Sequence, residues 1–214
     1  RADIGIALDG DADRIVICDE KGVVISGDHI IAAISKLLLE HNKLEGGGVV
    51  LTQMANAGLV EYLSSQGLKS WRTPVGDRYV LECMQENNCN LGGEPSGHII
   101  YSKYALTGDG IVASLQFLSY LMRYKCKASA AHKIFTPYPQ LHSNVNYSDK
   151  NPLDCPTIQK QLDDIKDENK DSIIVVRKSG TEKLIRVMVE TKDLQLAKKL
   201  LNTIETLIAN RITK

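Results

Sequence analysis

Three carboxylates at alternate positions, Asp9, Asp11 and Asp13 of Asp9-Gly10-Asp11-Ala12-Asp13-Arg14, directly follow the apolar stretch Ile4 to Leu8. Like charges this close repel, so a fold that gathers them needs a counter-charge, and hard oxygen ligands at this density suit Mg²⁺ or Ca²⁺. The competing reading is a polar hairpin turn in which Asp and Gly serve only the backbone. The spacing also partly fits an EF-hand loop, with Glu20 as its last ligand. That loop needs Gly where this chain has Arg14, and helices where Ile4 to Leu8 and Ile15 to Cys18 are β-rich. What remains is a strand, an acidic loop and a second strand beginning at Arg14.

The next residues predict a hairpin from Arg14 to Cys18 and Val23 to Ile25, turned by Asp19-Glu20-Lys21-Gly22. The period then changes: Ile30, Ile31, Ile34, Leu37 and Leu38 share one helical face, with Ser26 or Asp28 as cap and Gly46-Gly47-Gly48 ending the connection. No Gly-Lys-Ser/Thr follows those glycines, so they are a loop and not a nucleotide-binding P-loop. Strands and helices alternate from there: Val49 to Thr52, a helix from Asn56 to Gln66, Ser70 to Thr73, a helix from about Asp77 to Asn87, and short strands at Asn90 to Gly92 and His98 to Tyr101. That is the βαβ rhythm of an α/β domain. The helix Ile111 to Tyr124 is apolar nearly all round, which predicts burial. Between Cys126 and Pro139 the pattern weakens, and Pro137, Pro139, Pro152 and Pro156 mark a new unit. There the reading is strand Gln140 to Tyr147, helix Thr157 to Lys166, strands Ser172 to Val176 and Leu184 to Glu190, and helix Leu194 to Ile212. This order suits an α+β layer with helices on one face of a mostly antiparallel sheet.

The balance of Lys+Arg 26 against Asp+Glu 26, without a basic stripe carrying interleaved aromatics, excludes an electrostatic footprint for nucleic acid. No membrane partner is expected either, since every long apolar run is broken by Lys, Glu, Ser or Gly. The five cysteines are odd in number and lack a C-x-x-C pair, which reads as reduced thiols of a cytoplasmic protein. Arg1 stands first, and a single strand precedes the acidic loop; a strand normally needs sheet neighbours, so the expectation is the C-terminal part of a longer protein.

Three further loops hold groups suited to sugar and phosphate chemistry. Val75-Gly76-Asp77-Arg78-Tyr79 puts an anion, a cation and a flexible Gly at a helix start, where Asp77 also serves as an ordinary cap. Gly92-Gly93-Glu94-Pro95-Ser96-Gly97-His98 concentrates carboxylate, hydroxyl and imidazole in a glycine-rich turn able to hold adjacent hydroxyls, or is simply a turn with an incidental His. Arg177-Lys178-Ser179-Gly180-Thr181-Glu182-Lys183 joins two strands and offers a guanidinium fork, two hydroxyls and an accessible backbone, a phosphate cradle strengthened by Arg186 on the polar side of its strand. A plain basic hairpin is the alternative.

In this order the four segments resemble the α-D-phosphohexomutases, whose metal loop has the form Asp-Gly-Asp-(Gly/Ala)-Asp-Arg. Together with Gly76-Asp77-Arg78-Tyr79-Val80, Gly93 to His98, Thr107-Gly108-Asp109-Gly110 and Arg177 to Glu182, the chain is most similar to the bacterial members that act on a hexosamine phosphate. The resemblance implies an α/β chain in three parts: 1–25, a remnant of a second domain with strand, metal loop and hairpin; 26–130, a complete α/β sugar-binding domain; and 131–214, an α+β phosphate-binding domain. It implies Mg²⁺ at Asp9, Asp11 and Asp13, sugar contacts from Gly76, Asp77, Arg78, Glu94, Ser96 and His98, and phosphate contacts from Arg177, Ser179, Gly180, Thr181 and Arg186. Arg14 would stabilise the transferring oxygens and His98 would assist proton transfer at a sugar hydroxyl. In that family a phosphoserine hands its phosphoryl group to the sugar through a bisphosphate, and no segment here offers the Ser-His-Asn-Pro surroundings of that serine. The expected partners are a hexosamine phosphate and the N-terminal half that carries the serine, without which Ile4 to Leu8 should leave the Asp loop poorly braced. Lys183 stands where the family usually has Pro. A non-catalytic phosphosugar-binding module, a Ca²⁺-binding structural protein and a mutase for mannose or glucose phosphate are the other readings.

Overall fold

A computed structural model describes residues 1–148 and 151–212, and it divides into two compact units, Arg1–Pro137 and Tyr138–Lys214. In the first, β1 (Ile4–Leu8), β2 (Ile15–Asp19) and β3 (Val24–Ile25) form an antiparallel meander in the order β1-β2-β3. The turn into β3 is made by the buried Asp19 carboxylate, which accepts from the amides of Lys21 at 2.8 Å and Val23 at 2.9 Å. Helix α1 (Gly27–Glu40) follows, capped by Ser26, and then the βαβ series of β4 (Gly48–Thr52), α2 (Ala57–Ser65), β5 (Lys69–Thr73), α3 (Asp77–Glu86), β6 (Leu91–Gly93), β7 (Ile99–Tyr101) and α4 (Gly110–Tyr124).

The second sheet has the order β5-β4-β6-β7, with β4 parallel to both β5 and β6, and β7 antiparallel to β6. All five residues of β4 are buried, which explains its unbroken apolar sequence: helices cover both faces. Val49 and Leu51 point into a core with Ile30, Ile34, Leu59, Leu63 and Phe117, while Val50 faces Val80 and Met84 of α3. Ile15, Ile17 and Ile25 of the meander enter the same core as α1 and α4. Residues 1–25 therefore pack as part of the first unit. The boundary expected after residue 130 falls after Pro137 in this division, because Ala128, Ala131 and Phe135 are buried in that core. Helix α4 departs from the all-round burial its composition predicts. It buries Ala113, Phe117 and Tyr120 but leaves Ile111, Leu115 and Met122 exposed, as a helix laid on one side of a sheet must expose its far face.

In the second unit, β8 (Gln140–Asn146), β9 (Ile173–Lys178) and β10 (Leu184–Glu190) form an antiparallel sheet in the order β8-β10-β9. Ile185, Val187 and Val189 alternate onto one face, where they meet Ile158 and Leu162 of α5 (Pro156–Glu168) and Ala197, Leu200, Ile204 and Ile208 of α6 (Leu194–Ile212). The expected α+β layer, helices on one face, is the one observed. Among the described residues no helix is long and apolar enough to cross a membrane.

Candidate metal centre and sugar loop

The acidic loop lies between β1 and β2, and its strands explain its shape. Leu8 pairs with Ile15, so six residues must reverse the chain; Ala12 does so in a left-handed conformation at φ 60°, with its amide on the Asp9 carbonyl at 3.2 Å. This turn gathers one oxygen each from Asp9, Asp11 and Asp13 within 4.8 Å of one another, the one such grouping among the described residues. The Arg14 amide donates to Asp9 at 3.2 Å, and its half-exposed guanidinium lies 3.8 Å from Asp9 and 3.7 Å from Asp13.

The crowding shows in the acidities. Burial, then the carboxylates of Asp9 and Asp11, push the Asp13 carboxyl above its ordinary range, with His98 opposing them. Burial also pushes Asp9 upward, but the Arg14 amide, the contact with Asp13 and the Arg14 charge outweigh it and hold Asp9 below. One oxygen of Asp13, Oδ1, is buried and accepts no hydrogen bond. A buried carboxylate oxygen without a donor, beside two more carboxylates, is the donor set of a hard divalent cation, so the residues present fit the ion that the sequence implies.

Contrary to expectation, the loop is firmly braced, and from within its own unit. The Ile15 amide donates to the Gly97 carbonyl at 3.1 Å, Gly110 donates to the Ala12 carbonyl at 2.9 Å, and His98 Nδ1 lies 3.2 Å from Asp13 Oδ2. Gly97, at φ 91°, has the Ile15 carbonyl where a side chain would begin, and a Cβ at Gly108 would overlap the His98 ring and the Asp13 carbonyl. The segment Thr107 to Gly110 thus acquires a role that the sequence left unassigned: it backs the metal loop and, through Asp109, caps α4.

The same structure sorts the sugar-loop candidates. Glu94 accepts from the Gly76 amide at 3.1 Å through one oxygen and from the Ser96 hydroxyl at 3.2 Å through the other, so Gly76, Glu94 and Ser96 converge. A contact not foreseen, Gly27 N–H to the Pro95 carbonyl at 3.2 Å, ties this loop to the start of α1; Ser26-Gly27-Asp28 had signalled only a helix cap. Gly76, not Asp77, is the N-cap of α3, and exposed Asp77 accepts from the Arg78 amide in the first turn. Arg78 is not brought to Glu94; its guanidinium pairs with Glu82 one turn along at 2.7 Å. His98 is only 3% exposed, and its Nδ1 lies 3.2 Å from Asp13 Oδ2, which sets the imidazole between the sugar loop and the acidic loop.

In the second unit, Arg177 and Arg186 are direct cross-strand partners in the β9–β10 pair. Like charges in that position repel, and a bound anion between them relieves the repulsion. Arg186 also lies 3.6 Å from Glu182, both side chains being largely exposed. Ser179 is buried with its amide on the Leu184 carbonyl at 2.9 Å, its Oγ lies 3.5 Å from the Thr181 amide, and Gly180 faces open space. Lys183, in place of the usual Pro, reaches the Ser148 carbonyl at 3.2 Å.

Residues 26–138 match the phosphoglucomutase/phosphomannomutase alpha/beta/alpha domain III, and residues 141–207 match the C-terminal domain of the same family. The chain is 46% identical over its whole length to a phosphoglucosamine mutase of Chelativorans sp., of which it covers 48%. Over 209 residues, 97% of the chain, it is 48% identical to a phosphoglucosamine mutase of Caulobacter vibrioides, covering 47% of that protein. It therefore spans about half the length of the curated relatives it matches. Its fold is shared with an Aspergillus fumigatus N-acetylphosphoglucosamine mutase solved with GlcNAc-6P and magnesium (TM-score 0.77, 21% identity, 97% of this chain and 48% of that one). It is shared too with a phosphoglucomutase/phosphomannomutase family protein of Burkholderia thailandensis (TM-score 0.79, 18% identity, 98% and 47%). The chain belongs to the phosphoglucomutase/phosphomannomutase family, of which it carries domain III and the C-terminal domain, preceded by a braced Asp-rich loop.

Proposed function

We propose that this chain forms the cation- and sugar-binding part of a cytoplasmic phosphoglucosamine mutase, which interconverts glucosamine 6-phosphate and glucosamine 1-phosphate through a phosphoserine and a bisphosphate. The observation that carries the reading is the convergence within one unit of the Asp9, Asp11 and Asp13 oxygens with the Glu94–Ser96 loop, joined through the His98 to Asp13 contact. Relatives of this name at 46% and 48% identity support the sugar assignment.

Asp9, Asp11 and Asp13 would hold Mg²⁺, which when bound supplies charge neutralisation to a transferring phosphoryl group. The chain's own residues do the positioning. Arg14 keeps a half-exposed positive charge at the rim of the loop, beside Asp9 and Asp13, where it can meet the phosphoryl oxygens. Glu94, fixed by the Gly76 amide and the Ser96 hydroxyl, retains lone pairs for a sugar hydroxyl, and Ser96 Oγ can accept a second. Arg177 and Arg186 hold the phosphate that is not in flight, with Ser179, Gly180 and Thr181 supplying neutral donors. The serine that carries the phosphoryl group is assigned to the remainder of the mutase. Within this chain, Ser96 and Ser179 are ligands of their loops and Ser26 caps α1.

Calorimetric titration with glucosamine 6-phosphate tests the phosphate assignment: Arg177→Ala should weaken binding by on the order of 2 kcal/mol, the worth of a charge-assisted pair. Binding equal to wild type would remove Arg177 and its loop from the site.

A further inference from the structure

We infer that Asn144 is a phosphate-binding residue of the second unit: its side-chain amide donates to the phosphate that Arg177 and Arg186 hold. The inference rests on the proposed cradle of Arg177, Ser179, Gly180, Thr181 and Arg186 and adds to it a residue from a strand outside the hairpin. Arg186 of β10 is the direct partner of Arg177 on β9 and of Asn144 on β8, so the three stand in one row across the sheet with Arg186 at its centre. Cross-strand partners lie about 5 Å apart at Cα, so a phosphate seated on Arg186 is within reach of a side chain from either neighbour.

Strand alternation settles the face. Leu141 and Val145 of β8 pack against the core under α5 and α6, and Ser143 donates to Glu205 of α6, which turns Asn144 to the opposite face. On β10, Ile185 and Val187 enter that core, and Arg186 between them is turned away from it. Asn144 and Arg186 are both exposed. Among the described residues the Arg177 guanidinium has no carboxylate partner and the Asn144 amide makes no hydrogen bond, so both keep their donors for a ligand; Arg186 shares its own with Glu182 at 3.6 Å. Two guanidiniums in cross-strand positions already carry the charge that a phosphate dianion requires. A third cation on β8 would add repulsion between bare side chains, and a carboxylate there would pair with Arg186 and shut the anion out. The amide brings two donors and no charge, which suits it to a phosphate oxygen that the guanidiniums leave unbonded.

The test separates the amide from the bulk of its side chain. Gln keeps the amide on a stem one methylene longer, whereas Leu fills the place without a donor. The 214-residue chain and its variants are titrated with glucosamine 6-phosphate and, separately, with inorganic phosphate, followed by proton–nitrogen correlation NMR, with thermal unfolding measured alongside. The Asn144 side-chain amide signals, identified by their loss in Asn144→Leu, should shift with either ligand in step with the Gly180 backbone amide. Asn144→Leu should weaken both ligands about tenfold, the worth of one hydrogen bond to a charged acceptor, while Asn144→Gln should stay within about threefold of wild type. Full affinity in Asn144→Leu, a loss in Asn144→Gln as large as that in Asn144→Leu at equal thermal stability, or a loss seen with glucosamine 6-phosphate and not with inorganic phosphate overturns the inference while leaving the cradle standing. Wild-type affinity in Arg177→Ala overturns the cradle itself, and the inference with it.

Discussion

Gly108 lacks a side chain because the His98 ring and the Asp13 carbonyl occupy the place of one, and this turns a motif position into a physical requirement. Gly108→Ala should force His98 and the Asp loop apart and destabilise the protein by about 1–3 kcal/mol, the cost of overpacking a tight contact; denaturant unfolding measures it, and a loss below about 0.5 kcal/mol contradicts the packing argument. Asp77 tests specificity at the same scale. Exposed at the start of α3, beside the Gly76 amide that holds Glu94, it is proposed to face the 2-ammonium of the sugar, a charge-assisted hydrogen bond of roughly 1.5–3 kcal/mol. In the assembled mutase, Asp77→Asn should lower kcat/KM for glucosamine 6-phosphate more than for glucose 6-phosphate, and equal losses would reduce it to a residue of the helix start. The sequence made the chemistry of single residues legible where charge density was unusual, as at Asp9 to Asp13. It did not reveal that His98 is buried or that Arg78 is engaged by Glu82, because both depend on which way a side chain turns once neighbouring elements have packed.

Elements were legible wherever one period governed them. The apolar run of β10, buried at every residue but Arg186, and the apolar stripe of α6 predicted both spans as observed. Helix α4 was misread because apolar content does not say which residues a single covering sheet can reach. The start of α1 was legible as a cap but not as a buried polar cluster. His29 stacks on Phe135 at 4.2 Å, lies 5.7 Å from His132 and accepts or donates to Ser26 Oγ at 2.8 Å. Burial, and then the neighbouring His132, push its imidazole down to about 4. Between that value and the ordinary 6.5 the unfolded chain binds the extra proton, so the stabilisation is complete above pH 6.5 and is lost as pH falls toward 4. The loss should be on the order of 3 kcal/mol across this window, and His29→Asn should flatten most of it in the first unit, leaving at the acid end the loss from Glu20, whose carboxyl the Ser129 hydroxyl holds down to about 2. A slope that survives His29→Asn in the unfolding of the first unit would assign it to another group.

At the scale of the whole molecule, three hydrophobic clusters among the described residues follow from the two patterns in the sequence: one on each face of the βαβ sheet, and one between the antiparallel sheet and its helices. The meander of residues 1–25 was expected to be a poorly supported remnant; Ile6 and Leu8 of β1 are indeed exposed, but Ile15, Ile17 and Ile25 share the core of the first unit, and the loop is held by Gly97, His98 and Gly110. Such long-range docking leaves no periodic trace, and the only trace here is a scatter of glycines whose neighbours the linear sequence does not disclose. The proposed function makes a definite claim: this chain positions and neutralises, and a hydroxyl supplied by the rest of a longer mutase carries the group. The direct measurement is a coupled assay for glucosamine 1-phosphate with Mg²⁺ and a bisphosphate activator. It compares the 214-residue chain alone with the same chain joined to the amino-terminal half of the Chelativorans relative, each with and without Asp11→Asn. The account predicts no turnover by the chain alone, turnover by the joined protein, and loss of that turnover in Asp11→Asn. Turnover by the chain alone that disappears in Asp11→Asn would contradict it, since a serine within these residues would then carry the phosphoryl group.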